Sequence, residues 1–185
     1  MDRLLANSTV LAVIDIQERL ASAMPPAVLE RLVANVIILL EAARLLRVPV
    51  LASQQYTKGL GPTVGPIAEK LQSLGVAPVE KLSFDACAEP NFARCLSAIA
   101  PRAVVVVGVE AHVCVFQTAR ELVRRGYQTH VVTDAVASRR DENRVMGVSL
   151  CERAGAVATV TEAVVFDWLV QAGTDEFRQI SKLVR

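Results

Sequence analysis

The stretch "AVVVVGVEAHVCVFQTARELVRRG" (residues 103–126) changes character within a few residues and decides the fold. Its first seven residues form an unbroken, mostly β-branched apolar run, which predicts a strand buried on both faces, as in parallel sheets. An apolar stripe at helical spacing follows at Val115, Ala119 and Leu122. It predicts a helix that Gly126 closes as its C′ residue. Cys114 lies where the strand ends and the helix begins.

Similar runs alternate with helical patterns along the rest of the chain. Strands are predicted at 9–15, 49–54, 128–134 and 156–161, with a short one near Lys81, and helices at 26–46 and 138–155, with Ser138 as the N-cap of the second. Alternating elements of this kind imply right-handed βαβ units. The sequence therefore predicts a three-layer α/β/α fold with a doubly wound, mainly parallel sheet of about six strands, formed by one domain over residues 1–185. Residues 56–75 are predicted to be a long active-site loop that leads into a helix near 67–74.

Composition narrows the range of partners. The 185 residues are 52% hydrophobic with a formal net charge of +1, which is enough apolar material for a sizeable core. No basic stripe with interleaved aromatic residues is present, so nucleic acid is not an expected partner. The first residues lack a signal-peptide pattern and the apolar runs are short, which predicts a cytoplasmic protein without a membrane partner. Four cysteines without CxxC spacing predict free thiols.

Polar residues at the strand ends suggest chemistry. In parallel sheets, ligands bind outside the carboxyl ends of the strands, where Asp15, Lys81 and Cys114 are all predicted. The start of a helix and a nearby lysine both favour a cysteine thiolate. A carboxylate can carry the thiol proton, and backbone N–H groups at the helix start can bind an oxyanion. This combination suits attack on a carbonyl group.

Each of these residues also has a structural interpretation. A single cysteine in an apolar chain is often a small buried hydrophobe. Asp15 could cap the turn that follows it, and Lys81 could be a solvated surface lysine. Asp134 is expected to order a turn and His130 to be structural. A structural role is also predicted for the other three cysteines, Cys87, Cys95 and Cys151.

Three motifs connect these residues to a known family. "AVIDIQERL" (12–20), "EKLSFDAC" (80–87) and "VVVVGVEAHVCVFQTARELVRRGY" (104–127) occur in the order found in the isochorismatase-like cysteine hydrolase superfamily, and the chain resembles that superfamily from residue 9 to about residue 166. "SQQYTKGLGPTVGPI" (53–67) is similar to the branch of YcaC-like hydrolases and isochorismatase domain-containing proteins. The resemblance implies a Rossmann-like hydrolase fold.

The resemblance also implies a mechanism. Cys114 would attack the carbonyl of a small amide with Asp15 as proton shuttle and Lys81 stabilising the charges, and a thioester would form and be hydrolysed. Backbone N–H groups of Glu110 and Cys114 would form the oxyanion hole, with a cis peptide bond between Val109 and Glu110. Predicted residues of the substrate pocket are Gln17, Gln54, Tyr56, Phe84 and His112.

Cofactor and assembly follow from the same resemblance. The nicotinamidase branch binds a metal through Asp and His after its second strand, and this chain has Ser53 to Thr57 there, so neither metal nor other cofactor is expected. Family members commonly associate, and the chain ends with the apolar residues Phe166, Trp168, Leu169 and Phe177. A homo-oligomer is therefore predicted. Two alternatives to a hydrolase stay open: an interaction or scaffold protein that has kept the fold, and a thiol-based redox protein that uses Cys114.

Overall fold

A single six-stranded sheet organises the protein, in a computed structural model that describes residues 3–184. The strands are β1 (Thr9–Ile14), β2 (Val50–Gln55), β3 (Val79–Lys81), β4 (Ala103–Val109), β5 (Gln128–Ala137) and β6 (Val157–Thr159). Their order is β3-β2-β1-β4-β5-β6, and every neighbouring pair is parallel. The predicted doubly wound α/β fold is confirmed.

Helices cover both faces of the sheet. They are α1 (Glu18–Ala21), α2 (Pro26–Leu46), α3 (Thr57–Leu60), α4 (Gly65–Ser73), α5 (Pro90–Ile99), α6 (Phe116–Arg124), α7 (Asp141–Arg153), α8 (Thr161–Leu169) and α9 (Asp175–Ile180). One apolar core lies beneath α2, α4, α8 and α9, and a second lies beneath α5, α6 and α7. Strands that are buried on both faces explain the unbroken apolar runs of the sequence.

Four local predictions need correction. The segment 56–75 contains α3 and the whole of α4, so the helix predicted near 67–74 is confirmed, but the predicted loop before it is interrupted by α3 and is shorter than expected. Helix α7 begins at Asp141 with Arg140 at its N-cap position, so Ser138 is not its cap, and the Ser138 hydroxyl lies 3.0 Å from His112 Nδ1 instead. Strand β5 continues to Ala137, so Asp134 lies inside it, where its carboxylate accepts hydrogen bonds from the Thr161 N–H and hydroxyl at the start of α8. Cys114 belongs to a π-helical turn, Ala111–Val115, that precedes α6.

Two glycines allow close approaches of the backbone near Cys114. Gly108 has φ +128°, and a Cβ there would overlap the carbonyl oxygen of Ile14 in β1. A Cβ on Gly147 of α7 would lie 2.5 Å from the Ala111 carbonyl carbon and the His112 nitrogen. Strand β4 can therefore approach β1 at its carboxyl end, and α7 can lie directly against the turn that holds Cys114.

The C-terminal segment packs on its own sheet. Trp168 and Leu169 of α8 are 3% and 7% exposed and belong to the core beneath α2. Phe166 and Phe177 contact each other with ring centroids 6.4 Å apart. These contacts bury Trp168 and Leu169 within one chain and leave Phe166 partly exposed, so most of this segment does not require a second copy. Within residues 3–184, no helix is both long and apolar enough to cross a membrane.

Candidate active site

The candidate site lies where the strand order reverses. Strands β1 and β4 are neighbours, and the helices that follow them, α2 and α6, belong to cores on opposite faces of the sheet. A crevice forms at the carboxyl ends of such a strand pair. Asp15 directly follows β1, and the turn with Cys114 follows β4. Lys81 ends β3, two strands away from β1, and its long side chain spans that distance.

Asp15 and Lys81 form a fully buried ion pair. Lys81 Nζ lies 2.7 Å from Asp15 Oδ2, and both side chains are 0% exposed. The other carboxylate oxygen, Oδ1, accepts a hydrogen bond of 2.7 Å from the Ser53 hydroxyl. Asp15 has φ +50°, a conformation uncommon for a residue with a side chain, and backbone strain of this kind clusters at functional sites. Asp15 is therefore held in a strained, dry position and does not simply cap a turn.

The Lys81 ammonium group is enclosed by oxygen atoms. In addition to the ion pair with Asp15, it donates hydrogen bonds to Gln55 Oε1 at 2.7 Å and to the carbonyl oxygens of Ser83 and Phe84 at 3.0 and 3.1 Å. The interpretation of Lys81 as a solvated surface residue is therefore wrong. A buried charge requires this degree of pairing because desolvation is costly.

Cys114 is buried next to this pair, and its charge state differs from the sequence prediction. The pKa of the Cys114 thiol is raised to about 12, chiefly by burial and also by the negative charge and hydrogen bonding of Asp15, while Lys81 opposes the shift. We expected helix position and lysine to favour thiolate, but burial outweighs both because the side chain is only 5% exposed. At neutral pH the resting Cys114 is a neutral thiol beside a carboxylate.

Glu110 holds the segment before Cys114. The Val109–Glu110 peptide bond is cis, as expected. The Glu110 carboxylate accepts hydrogen bonds of 3.0 Å from the Arg139 N–H and Nε. Burial alone would raise the pKa of Glu110, but the hydrogen bonds and charge of Arg139 lower it below its ordinary value. The Glu110–Arg139 interaction thus connects the segment after β4 to the segment after β5.

Two predicted pocket residues have different roles. Gln17 is 0% exposed, and its amide binds the backbone N–H and C=O of Gln55 and the carbonyl of Gly61. It is therefore a connector between segments and not a pocket wall. Gln54 donates to the Thr63 hydroxyl at 2.8 Å, on the face of β2 opposite to Ser53 and Gln55. Gln54 points away from the Asp15–Lys81 pair.

The remaining predicted pocket residues lie at the outer edge of the site. Tyr56 and Phe84 are 50% and 51% exposed. Tyr56 helps to line a cavity of about 580 Å³ that also borders Lys81 and Leu82. His112 is partly buried and contacts the Ser138 hydroxyl. Within residues 3–184, His112 forms no hydrogen bond with Asp15 or Lys81.

Ser53 and Gln55 are the residues that the sequence analysis missed. Both directly contact the buried pair, and both are polar residues in an otherwise apolar strand. Side chains alternate along a strand, so choosing Gln54 excluded its two neighbours from the same face. The alternation was a usable signal, because one face of β2 carries both Ser53 and Gln55.

The other cysteines do not join the site. All four cysteines are free thiols, and Cys87 and Cys151 are buried in the core beneath α5, α6 and α7. Across residues 3–184, no group of three or more His, Cys, Asp or Glu side chains is arranged to hold a metal ion.

Comparison with known proteins agrees with the fold and the motifs. The chain is 37% identical to the secreted isochorismatase effector Isc1 of Phytophthora sojae, covering 100% of this chain and 88% of that protein. It is 34% identical to isochorismatase domain-containing protein 2 of Danio rerio, covering 98% and 89%. The structure of MAR1 ribonuclease from Caenorhabditis elegans superimposes with a TM-score of 0.91 at 34% identity, covering 99% and 92%.

A more distant structure shares the fold alone. The octameric YcaC hydrolase of unknown specificity from Escherichia coli superimposes with a TM-score of 0.88 at 20% identity, covering 98% of this chain and 90% of that one. The family model of the isochorismatase domain matches residues 9–163, which include Asp15, Lys81 and Cys114. On this match and on relatives that align over nearly its full length, the chain belongs to the isochorismatase family.

Proposed function

We propose that this protein is a metal-independent cysteine hydrolase that cleaves the C–N bond of a small amide through a thioester on Cys114. The observation that carries the proposal is the solvent-free Asp15–Lys81 pair beside the Cys114 thiol. Membership of the isochorismatase family supports a hydrolase. A buried ion pair is weak evidence for stability, so its position at the strand ends favours a chemical role.

The first half-reaction forms the thioester. Asp15 accepts the thiol proton, and the Cys114 sulfur attacks the amide carbonyl carbon. The backbone N–H groups of Glu110 and Cys114 would stabilise the oxyanion, a contribution of about 2.7–4 kcal/mol for one donor. Asp15 then returns the proton to the leaving nitrogen, the C–N bond breaks, and amine or ammonia departs.

The second half-reaction releases the acid. Asp15 accepts a proton from water, whose oxygen attacks the thioester carbonyl, and the C–S bond breaks with the proton returning to sulfur. Lys81 keeps its positive charge throughout and offsets the negative charge of the site. Because the resting thiol is neutral, Asp15 must act as a general base in the first step.

The polar side chains in the last residues of β2 support a mechanism without a metal. Ser53 and Gln55 are already hydrogen bonded to Asp15 and Lys81, so they complete the ion pair. Every proton and charge in the two half-reactions is handled by Asp15, Lys81 and backbone N–H groups. No step requires a Lewis acid.

An ammonia-release screen over small amides, ureides and carbamoyl compounds tests the proposal. We expect turnover of at least one compound, unchanged by a chelator and absent from Cys114→Ala. RNA should be included because the Caenorhabditis elegans relative is a ribonuclease by name. RNA cleavage without amide turnover, activity that needs added metal, or a reversible Cys114 disulfide with no turnover would each contradict it. A complete lack of turnover on every compound would also contradict the proposal and would favour a scaffold role.

We also propose a homo-oligomer in the cytoplasm. Leu82 is 73% exposed, and Val145 and Met146 of α7 are more than half exposed, so apolar surface remains for a second copy. Light scattering at micromolar concentration should give a mass above the 20.0 kDa of one chain. A monomer would contradict it. Native localisation should be measured by fractionation, because the Phytophthora sojae relative is a secreted protein by name.

A further inference from the structure

Gln55 and Lys81 share a hydrogen bond that the proposed mechanism does not use. An ammonium group has three N–H donors and no acceptor. Lys81 Nζ nevertheless has four oxygens within 3.1 Å: the Asp15 carboxylate, the Gln55 amide and the carbonyls of Ser83 and Phe84. The carbonyls lie on the segment that follows β3, so among residues 3–184 only the Gln55 amide binds Lys81 from the β2 side.

The orientation of the Gln55 amide is fixed. Its Nε2 donates a hydrogen bond of 2.7 Å to the Leu82 carbonyl. A rotation of the amide by half a turn would place an NH₂ group against the ammonium and an oxygen against that carbonyl. The oxygen must therefore face Lys81, at 2.7 Å.

Gln17 holds the backbone of Gln55 in place. Gln17 Oε1 accepts from the Gln55 N–H at 2.7 Å, and Gln17 Nε2 donates to the Gln55 carbonyl at 3.0 Å. The same Nε2 donates to the Gly61 carbonyl at 2.7 Å. These bonds form a continuous path from the segment after β1, through β2, to the last residue of β3.

We propose that Gln55 is a positioning residue whose amide holds the Lys81 ammonium against the Asp15 carboxylate, and that Gln17 positions Gln55. The inference deepens the proposed function, and its consequence for turnover rests on that function. Without the amide, the ammonium group would turn towards the carbonyls of the segment after β3. The Asp15 charge would then be less well compensated.

The consequence for Cys114 has a definite sign. Asp15 makes the thiol harder to ionise, and Lys81 makes it easier. A displaced Lys81 leaves the effect of Asp15 less opposed, so the thiolate fraction falls. A purely structural role for Gln55 predicts the opposite sign, because a loosened site would expose Cys114 and speed its modification.

Alkylation of Cys114 by iodoacetamide measures this effect without a substrate. The rate at Cys114 is followed by peptide mass mapping between about pH 7 and 9, with Cys87 in the same digest as the internal reference. The test variant is Gln55→Met, which keeps the chain length and removes the amide. Its matched control is Gln54→Met, because Gln54 is the adjacent glutamine on the opposite face of β2. Gln55→Glu provides a second test with an isosteric side chain.

We expect Gln55→Met to slow Cys114 alkylation by about threefold to tenfold at each pH, with Cys87 unchanged, since one pKa unit is a factor of ten. Gln55→Glu adds negative charge and should slow it further, and it decides the question if Gln55→Met does not fold. Gln54→Met should stay within about twofold of the wild type on the same scale. Equal rates in Gln55→Met and Gln54→Met, or faster labelling of Cys114, would overturn the inference.

This outcome is separable from that of the proposed function. If the wild type hydrolyses no amide but the Gln55 variants slow alkylation, the hydrolase proposal fails and the positioning role stands. If an amide is hydrolysed and Cys114 is alkylated in the Gln55 variants as fast as in Gln54→Met, the hydrolase proposal stands and the positioning role fails. For a hydrolysed amide, Gln55→Met should lower kcat with little change in KM.

Discussion

Cys114 and Cys87 are buried thiols with chemically matching neighbours. The charges of Asp15 and Lys81 affect the pKa of the Cys114 thiol, and those of Asp85 and Arg125 affect the pKa of the Cys87 thiol. In both cases the thiol pKa is raised to about 12, chiefly by burial and also by the carboxylate, while the cation opposes the shift. Judged by residue types alone, either cysteine could be the nucleophile of an acid–cation–thiol site.

The arrangement of the charges separates the two sites. Asp15 and Lys81 touch at 2.7 Å with no exposed side-chain surface. Around Cys87, the Asp85 carboxylate accepts the Cys87 N–H at 2.8 Å, and Arg125 pairs with Glu121 at 2.9 Å. The Arg125 side chain is 36% exposed. The comparison shows that direct pairing in a dry position at the strand ends, and not the presence of the three groups, distinguishes a candidate site.

The largest difference should be in turnover. On any amide that the wild type hydrolyses, Cys114→Ala should lower kcat by at least about a thousandfold, because it removes the nucleophile. Cys87→Ala should retain kcat within about threefold, since Cys87 only packs in the core. Ammonia release measures both. Comparable losses in the two variants would remove the distinction between the sites.

The two aspartates should differ in their contribution to stability. Asp15→Asn leaves the Lys81 ammonium buried without its carboxylate and should lower the free energy of unfolding by about 3–5 kcal/mol. Asp85→Asn should cost less than about 1 kcal/mol, because asparagine can still accept the hydrogen bond from the Cys87 N–H. Urea unfolding of both variants gives the values. Similar losses of unfolding free energy in the two variants would show that a buried Lys81 ammonium without its carboxylate does not destabilise the fold.

A substitution in α7 should change the reactivity of Cys114 but not that of Cys87. Gly147→Ala places a Cβ 2.5 Å from the backbone of Ala111 and His112, and we expect a loss of about 1–3 kcal/mol from the forced shift. Gly65→Ala is the control, because nothing lies within 4 Å of its added Cβ. Urea unfolding measures the loss, and alkylation rates should change at Cys114 but not at Cys87. An unchanged stability would contradict the close contact between α7 and the turn.

The smallest effect concerns alkaline pH, where the two thiols should behave alike. Each thiol is raised from an ordinary pKa of 9.0 to about 12, so between these values the unfolded chain releases a proton that the folded chain keeps. The unfolded state then binds fewer protons, and stability falls as pH rises above about 9. Each thiol should contribute about 1.4 kcal/mol per pH unit to that slope. Cys87→Ala and Cys114→Ala should therefore flatten the slope by equal amounts in unfolding series from about pH 9 to 10.5. An unequal change of slope would show that folding does not raise the pKa values of the two thiols equally.

The sequence predicted the sheet well because its central strands, β1 and β4, are buried on both faces. The apolar run at 103–109 coincides with β4, and the helical pattern at 26–46 coincides with α2. The prediction was wrong only before the helix expected near 67–74, at residues 56–66, where glycines and prolines suggested a loop. There α3 is only one turn long, and Pro66 near the start of α4 occupies a position where proline is tolerated.

The site residues divide in the same way. Asp15, Lys81 and Cys114 could be selected as the polar residues that end apolar runs, and the structure brings Asp15 and Lys81 into contact and places Cys114 within reach of their charges. Their catalytic roles stay a prediction. Gln17 and Gln54 are predicted pocket residues, but the Gln17 amide bonds to backbone groups and the Gln54 amide bonds to Thr63. The sequence gives a residue's position on a strand or turn but not the partner of its amide.

By itself, the sequence determined the α/β class, the order of the strands along the chain and which polar residues stand at their ends, because these follow from local apolar patterns. Only the tertiary structure decided that Lys81 crosses from β3 to Asp15, that Ser53 and Gln55 complete the pair, and that burial keeps the Cys114 thiol neutral. Those outcomes depend on distances between strands far apart in sequence and on the removal of water. Neither quantity is encoded in a local pattern, since desolvation arises only when the two faces of the sheet are covered.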